Sequence, residues 1–125
     1  QIGTLFAASA ESSAHPEFKN LITRLREGDT FLALKKLAPV RLIKNSFYEE
    51  VMNAEQRGAS KEELVALLGK GRAKLGMFEG DLENGELEIG QVSAMIRQVE
   101  PVEVIMQRLI REYNSCIKKL TPMPE

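Results

Sequence analysis

The sequence opens with Gln1-Ile2-Gly3-Thr4-Leu5-Phe6-Ala7-Ala8, an apolar stretch that decides how the rest of the chain is interpreted. Short apolar runs of this length are typical of buried strands, and we expect a strand over residues 1–6. A strand must pair its backbone N–H and C=O groups with neighbouring strands, and little else in this chain looks able to supply them. The stretch therefore predicts part of a sheet whose other strands belong to a longer protein.

The bulk composition describes one ordinary globular domain. The 125 residues carry 17 Lys and Arg against 18 Asp and Glu, so the formal net charge is −1. That balance gives no basis for a general electrostatic attraction to nucleic acid or to an anionic membrane. No apolar run approaches the roughly 20 residues of a membrane-spanning helix. The single cysteine, Cys116, cannot form an internal disulfide, which favours a cytoplasmic setting.

Beyond the opening stretch the pattern is mostly helical. About five helices are expected, over residues 16–28, 46–58, 60–69, 92–99 and 101–120. Proline opens the first and the last, and two capping boxes open the second and third, pairing Ser46 with Glu49 and Ser60 with Glu63. Residues 30–37 are ambiguous between strand and helix, and we interpret them as irregular or short extended structure.

A glycine-rich segment precedes the last two helices. Glycines are concentrated between residues 69 and 90, which predicts a long loop. Residues 79–88 are acidic, but their spacing does not match a calcium-binding loop, and a solvated acidic turn is the better interpretation. The stretch Gly69-Lys70-Gly71-Arg72 could touch a phosphate, but it lacks Walker spacing and is interpreted as a flexible loop.

The chain offers no complete set of catalytic or metal-binding side chains. His15 lies at a helix start, where we expect it to cap the helix rather than bind a metal. Cys116 lies on the apolar face of the last helix, where a small buried side chain is expected rather than a nucleophile. We predict no catalytic residue and no metal site here. The Gly3-Thr4 pair is a candidate phosphate-binding element, because N–H groups and a hydroxyl supply donors beside an unhindered backbone.

Four blocks in order, QIGTLF (1–6), ESSAHPEFK (11–19), PVRLIKN (39–45) and residues 79–96, carry a resemblance to a known family. They resemble the carboxy-terminal part of the nitronate monooxygenases (2-nitropropane dioxygenases) and the FMN-dependent type II enoyl-[acyl-carrier-protein] reductases. That family has an α/β fold, a TIM-type barrel that holds FMN, with a mostly helical second part. The resemblance implies a mostly α-helical carboxy-terminal fragment: the last barrel strand, about five helices and a long glycine-rich loop.

The resemblance also implies an organisation and a cofactor site. Residues 1–28 would hold the last barrel strand and the following helix, residues 29–100 the mostly helical second part, and residues 101–125 the last helix and tail. Gln1, Gly3 and Thr4 would bind FMN, with Gly3 and Thr4 at its phosphate. Gly90-Gln91 would pack near the mouth of the active site without a catalytic role. Leu5 stands where the family usually has arginine.

The resemblance implies an oxidoreductase in which reduced flavin passes electrons to oxygen and a nitronate, or to an enoyl thioester. NAD(P)H is the candidate electron donor and a homodimer the candidate assembly. The catalytic histidine of the family lies upstream, so this chain alone is expected to be inactive and to bind FMN poorly. The alternative is a stand-alone helical interaction module without a cofactor, whose last helix would offer an apolar partner surface.

Overall fold

A computed structural model describes residues 2–120 as a mostly helical chain with one small sheet, in agreement with the predicted helical character. The helices are α1 (Gly3–Ala7), α2 (Pro16–Arg24), α3 (Ser46–Gln56), α4 (Lys61–Leu68) and α5 (Val102–Lys119), with a π-helical turn at Lys74–Phe78 and a 3₁₀ turn at Ser93–Met95. The strands are β1 (Thr30–Ala33) and β2 (Val40–Ile43). None of the helices in this part of the chain combines the length and apolar character needed to cross a membrane.

The opening stretch is helical where it is described, so the predicted strand over residues 1–6 is wrong there. Gln1 lies outside the described residues. The backbone N–H of Ala8 donates to the Thr4 carbonyl at 2.9 Å, which closes the turn of α1. Within residues 2–120 the sheet contains only β1 and β2, and neither lies against α1 as a partner strand. Without such a partner, the backbone satisfies its hydrogen bonds locally by forming a helix.

The sheet is an antiparallel pair that anchors the glycine-rich segment. β1 confirms the short extended structure expected in residues 30–37, and its Thr30 stands opposite Ile43 of β2. The other edge of β2 is extended by the returning chain, because the Ile43 N–H donates to the Leu87 carbonyl at 3.0 Å. The Ile89 N–H donates to the Arg41 carbonyl at the same distance, 3.0 Å. The segment after residue 86 is therefore held as a third, irregular edge.

The helix starts follow local capping chemistry. His15 is the N-cap of α2, and its Nδ1 accepts from the backbone N–H two residues on at 3.2 Å, which confirms the predicted capping role. Ser60 and Glu63 form the predicted capping box of α4. At α3 the cap is Asn45, one residue before the predicted Ser46, because the longer amide side chain reaches both the helix and a neighbouring turn.

Two predicted helices are shorter than expected. α2 ends at Arg24 instead of Gly28, since Leu25 is already extended at ψ 145°. The helix expected over residues 92–99 is reduced to the 3₁₀ turn, and Val92 and Met95 are 67% and 77% exposed. Their apolar spacing resembles that of a helix face, but these side chains line the edge of a cleft instead of a core.

The glycine-rich segment is compact, so the prediction of a long loop over residues 69–90 is wrong in part. The π-helical turn crosses the acidic turn where Gly76 meets Gly85, and a Cβ on either residue would collide with the other segment. The acidic turn itself is closed by Asp81, whose Oδ1 accepts from the Asn84 N–H at 2.8 Å. That hydrogen bond is the main reason that the pKa of Asp81 is lowered. The turn is therefore built from its own side chains and needs no cation.

Two groups of buried side chains form the core, one around α3 and α4 and the other around α2. The first contains Ala33, Leu34, Leu42, Phe47, Tyr48, Val51, Ala54, Ala59 and Leu64. The second contains Ala8, Phe18, Ile22, Leu25, Ile43, Leu87 and Ile96. Of α5, only Ile105 is buried, while Tyr113 is 65% exposed and Cys116 is exposed. The prediction of a buried Cys116 is therefore wrong, because no described segment covers the second half of α5.

Candidate active-site cleft

The Gly3-Thr4 pair and the Gly90-Gln91 pair meet at one point of the fold. The N–H of Gly90 donates to Thr4 Oγ1 at 2.9 Å. A Cβ on Gly90 would lie 2.7 Å from the same oxygen, so the approach requires a residue without a side chain. Two segments that lie 86 residues apart in the chain are thereby joined into one wall.

A cleft of ≈ 590 Å³ opens beside this contact. Small-molecule sites commonly measure roughly 300–1,000 Å³, so the cleft is large enough for a ligand. Its walls are the first turn of α1, residues 90–98 and one side of α5. The apolar part of the lining consists of Ile2, Leu5, Val92, Met95, Ile96 and Leu109. Gly3 and Thr4 also border a second hollow of ≈ 430 Å³ on the side of β2.

One end of the cleft carries a closed set of polar side chains. The Glu100 carboxylate accepts from the Arg108 guanidinium, and its other oxygen accepts from Gln98 Nε2 at 2.9 Å. The bond from Arg108, followed by the bond from Gln98, lowers the pKa of Glu100 below its ordinary value. Because the Arg108 guanidinium is paired with Glu100, it ties α5 to the segment just before the helix.

A loop before α2 fixes the start of α5, and sequence reasoning missed its two key side chains. The Val102 N–H donates to both oxygens of Glu11, at 3.2 and 3.0 Å. The Nζ of Lys19, a buried side chain, donates to the carbonyls of Ala10 and Ser12 at 3.1 and 2.7 Å. Glu11 and Lys19 lie within the block ESSAHPEFK, but nothing local in the sequence indicates which backbone groups they bind.

The first turn of α1 presents hydrogen-bond donors suited to an anion. The first N–H groups of a helix have no partner within it, and Ile2 supplies no side-chain cap. A Cβ on Gly3 would meet nothing within 4 Å, so space is open beside the backbone there. Thr4 Oγ1 already accepts from Gly90, which leaves its proton to donate. This donor set fits the phosphate of a cofactor.

The other candidate side chains do not converge on this cleft. His15 packs against Gly80, where a Cβ would collide with the imidazole ring, and its Nδ1 is occupied as a cap. Among residues 2–120, no group of three or more His, Cys, Asp or Glu side chains is placed to hold a metal ion. The guanidinium of Arg72 lies 4.9 Å from the Phe47 ring centroid and donates to the Asn84 carbonyl, so its contacts are structural.

Comparison with known proteins relates the chain to a family of enzymes. A family model described as nitronate monooxygenase matches residues 1–112. The solved structure of FabK from Thermotoga maritima superposes with a TM-score of 0.83 at 30% identity, over 94% of this chain and 37% of the FabK chain. A FabK mutant from the same organism gives a TM-score of 0.75 at 28% identity, over 94% and 34%. This chain thus spans about a third of the length of the FabK structures it matches.

Proposed function

Because this chain belongs to the nitronate monooxygenase family, we propose that it forms the carboxy-terminal part of an FMN-dependent oxidoreductase. The family match over residues 1–112 carries this proposal, and the fold supports it through the close likeness to FabK. The share of FabK that remains uncovered leaves room for a TIM-type barrel upstream of Gln1.

Gly3 and Thr4 are the proposed contacts of the FMN phosphate, together with Gln1, which lies outside the described residues. The free N–H groups of the first turn and the available Thr4 proton support this role. Residues 90–98 and α5 would exclude water from one side of the cofactor. No side chain of the described residues is assigned to proton transfer, and the catalytic group would lie upstream.

When bound, FMN would supply the redox chemistry, either the reduction of an enoyl thioester with NAD(P)H as the donor or the oxidation of a nitronate by oxygen. The likeness to FabK, a type II enoyl-[acyl-carrier-protein] reductase, favours the enoyl thioester. The family model favours a nitronate with oxygen as the second candidate. The apolar lining of the cleft suits the hydrocarbon part of either substrate.

The test is performed on the intact protein that contains this chain. We expect a yellow protein with bound FMN, oxidation of NADH or NADPH that depends on an enoyl thioester, and weaker FMN binding in the variant Thr4→Val. Oxygen uptake that depends on a nitronate, without thioester reduction, would select the second substrate. An intact protein that neither contains nor binds flavin would overturn the proposal. Tight, stoichiometric FMN binding by residues 1–125 alone would contradict the need for the barrel.

The interaction module remains a second candidate because of one observation, the exposed apolar side of α5. Ile110, Tyr113 and Ile117 are exposed there on consecutive turns. In the enzyme, the barrel or the second subunit of a homodimer would cover them. An immunoblot of the native protein separates the two functions. A band far above 14.0 kDa supports the enzyme, and a band at that size supports the module. The cytoplasmic setting and the lack of nucleic-acid binding stay predictions.

A further inference from the structure

We propose that Gly90 is a positioning residue for the cofactor phosphate, acting through the hydroxyl of Thr4. The inference rests on the proposed FMN site and adds a residue to it from the other end of the fold. Gly90 donates its N–H to Thr4 Oγ1 at 2.9 Å. Because a lone pair of that oxygen is then occupied, the hydroxyl proton is directed to a different side, where a phosphate oxygen can accept it.

The peptide of Gly90 is itself held in place. Its carbonyl accepts from the N–H of Ser93 at 3.2 Å and also from the hydroxyl of Ser93, a fully buried side chain. The 3₁₀ turn that begins at Ser93 therefore fixes the direction of the Gly90 N–H. The Thr4 side chain can rotate, and the five-residue helix α1 does not fix its direction. The hydroxyl is aligned instead by Gly90, which lies outside that helix.

The absence of a side chain at Gly90 is a condition for this alignment. A Cβ there would lie 2.7 Å from Thr4 Oγ1 and 3.6 Å from its Cβ, so the hydroxyl alone is in conflict. Threonine has more than one accessible χ1 rotamer in a helix, and rotation would relieve the conflict at little cost to the fold. The variant Gly90→Ala should therefore fold normally while its Thr4 hydroxyl points elsewhere.

The experiment compares two flavins on the intact protein after its cofactor has been removed. FMN and riboflavin differ by the phosphate, so the ratio of their dissociation constants, measured by flavin fluorescence, isolates the phosphate contacts. We expect Gly90→Ala to weaken FMN binding about tenfold, the usual effect of one hydrogen bond to a charged group, and to leave riboflavin binding unchanged. Thr4→Val should produce the same loss, and the double variant should lose nothing more.

Gly76→Ala is the matched control. Its Cβ would also meet a neighbour at 2.7 Å, the Leu87 side chain, but at 3.0 Å it meets backbone of the acidic turn, away from the cleft. Gly76→Ala should lower the melting temperature and leave the ratio of the FMN and riboflavin dissociation constants unchanged. Equal weakening of both flavins by Gly90→Ala, or a further loss in the double variant, would overturn the inference alone. A wild-type protein that binds neither flavin would overturn the proposed function and this inference with it.

Discussion

Replacing Asn45 by alanine should destabilise the fold by far more than the loss of an ordinary helix cap. The Oδ1 of Asn45 accepts from the Tyr48 N–H at 2.9 Å, while its Nδ2 donates to the carbonyls of Leu82 and Gly85 at 2.9 and 2.8 Å. Loss of the cap costs about 1 kcal/mol, and each lost hydrogen bond to the turn costs about 1 kcal/mol. The free energy of unfolding should fall by about 3 kcal/mol in total.

Equilibrium unfolding in urea, followed by far-ultraviolet circular dichroism, measures this loss. Asn45→Ser keeps a capping oxygen but lacks the amide group whose two N–H bonds reach the acidic turn, so it should lose about 2 kcal/mol. Ser60→Ala, which removes a cap with no second attachment, should lose about 1 kcal/mol and serves as the control. Equal losses in Asn45→Ala and Ser60→Ala would show that the two bonds to the turn add nothing, and the reasoning would fail.

Three further predictions concern the glycine crossing and two carboxyl groups. Gly85→Ala should lower the free energy of unfolding by about 1–3 kcal/mol, because its Cβ would collide with Gly76. The melting temperature should fall accordingly, and an unchanged melting temperature would contradict this. The bond from Arg108 lowers the pKa of Glu100 in the folded protein. The ionised Glu100 therefore stabilises the fold above the unfolded pKa of about 4.3, and this stabilisation is lost as the pH falls through the lower folded pKa. The stability gap between wild type and Glu100→Gln should therefore shrink on acidification, and a gap independent of pH would count against the ion pair. Burial, followed by the charge of Glu88, raises the pKa of Glu86, so Glu86→Gln should gain stability relative to wild type as the pH rises from about 4. Urea midpoints measured across that range would show a difference independent of pH if the carboxyl were well solvated.

Two of the three local helix starts were predicted correctly from the sequence, whereas the predicted box of Ser46 and Glu49 is replaced by the cap at Asn45. The capping box of Ser60 and Glu63 and the cap at His15 depend on side chains that reach backbone groups two or three residues away. The opening stretch was assigned wrongly because a short apolar run is compatible with strand or helix, and the choice depends on partners elsewhere. The apolar stripe of α5 likewise predicted an apolar helix face, but the spacing of its residues does not specify which segment covers that face.

In the candidate site, too, the contacts between distant residues were not predicted from the sequence. Gly3 and Thr4 were identified through a family resemblance, and their placement beside a cleft agrees with a binding role without testing it. The partner of Thr4, Gly90, is 86 residues away, and the carboxylate of Glu11, which caps α5, is 91 residues from the Val102 N–H that donates to it. Such pairings leave no periodic signal, because each uses one polar atom in an otherwise unremarkable loop. They can be identified only once the chain is folded.

These distant pairings also set an order of events during synthesis. The first turn of α1 leaves the ribosome 86 residues before Gly90 and the loop with Glu11 leaves it 91 residues before Val102. At about 5–20 residues per second, the Thr4 hydroxyl remains without its partner for about 4–17 s. The wall that would receive the phosphate is absent throughout that interval. Loading of the proposed cofactor should therefore follow the synthesis of Gly90 rather than that of α1 alone.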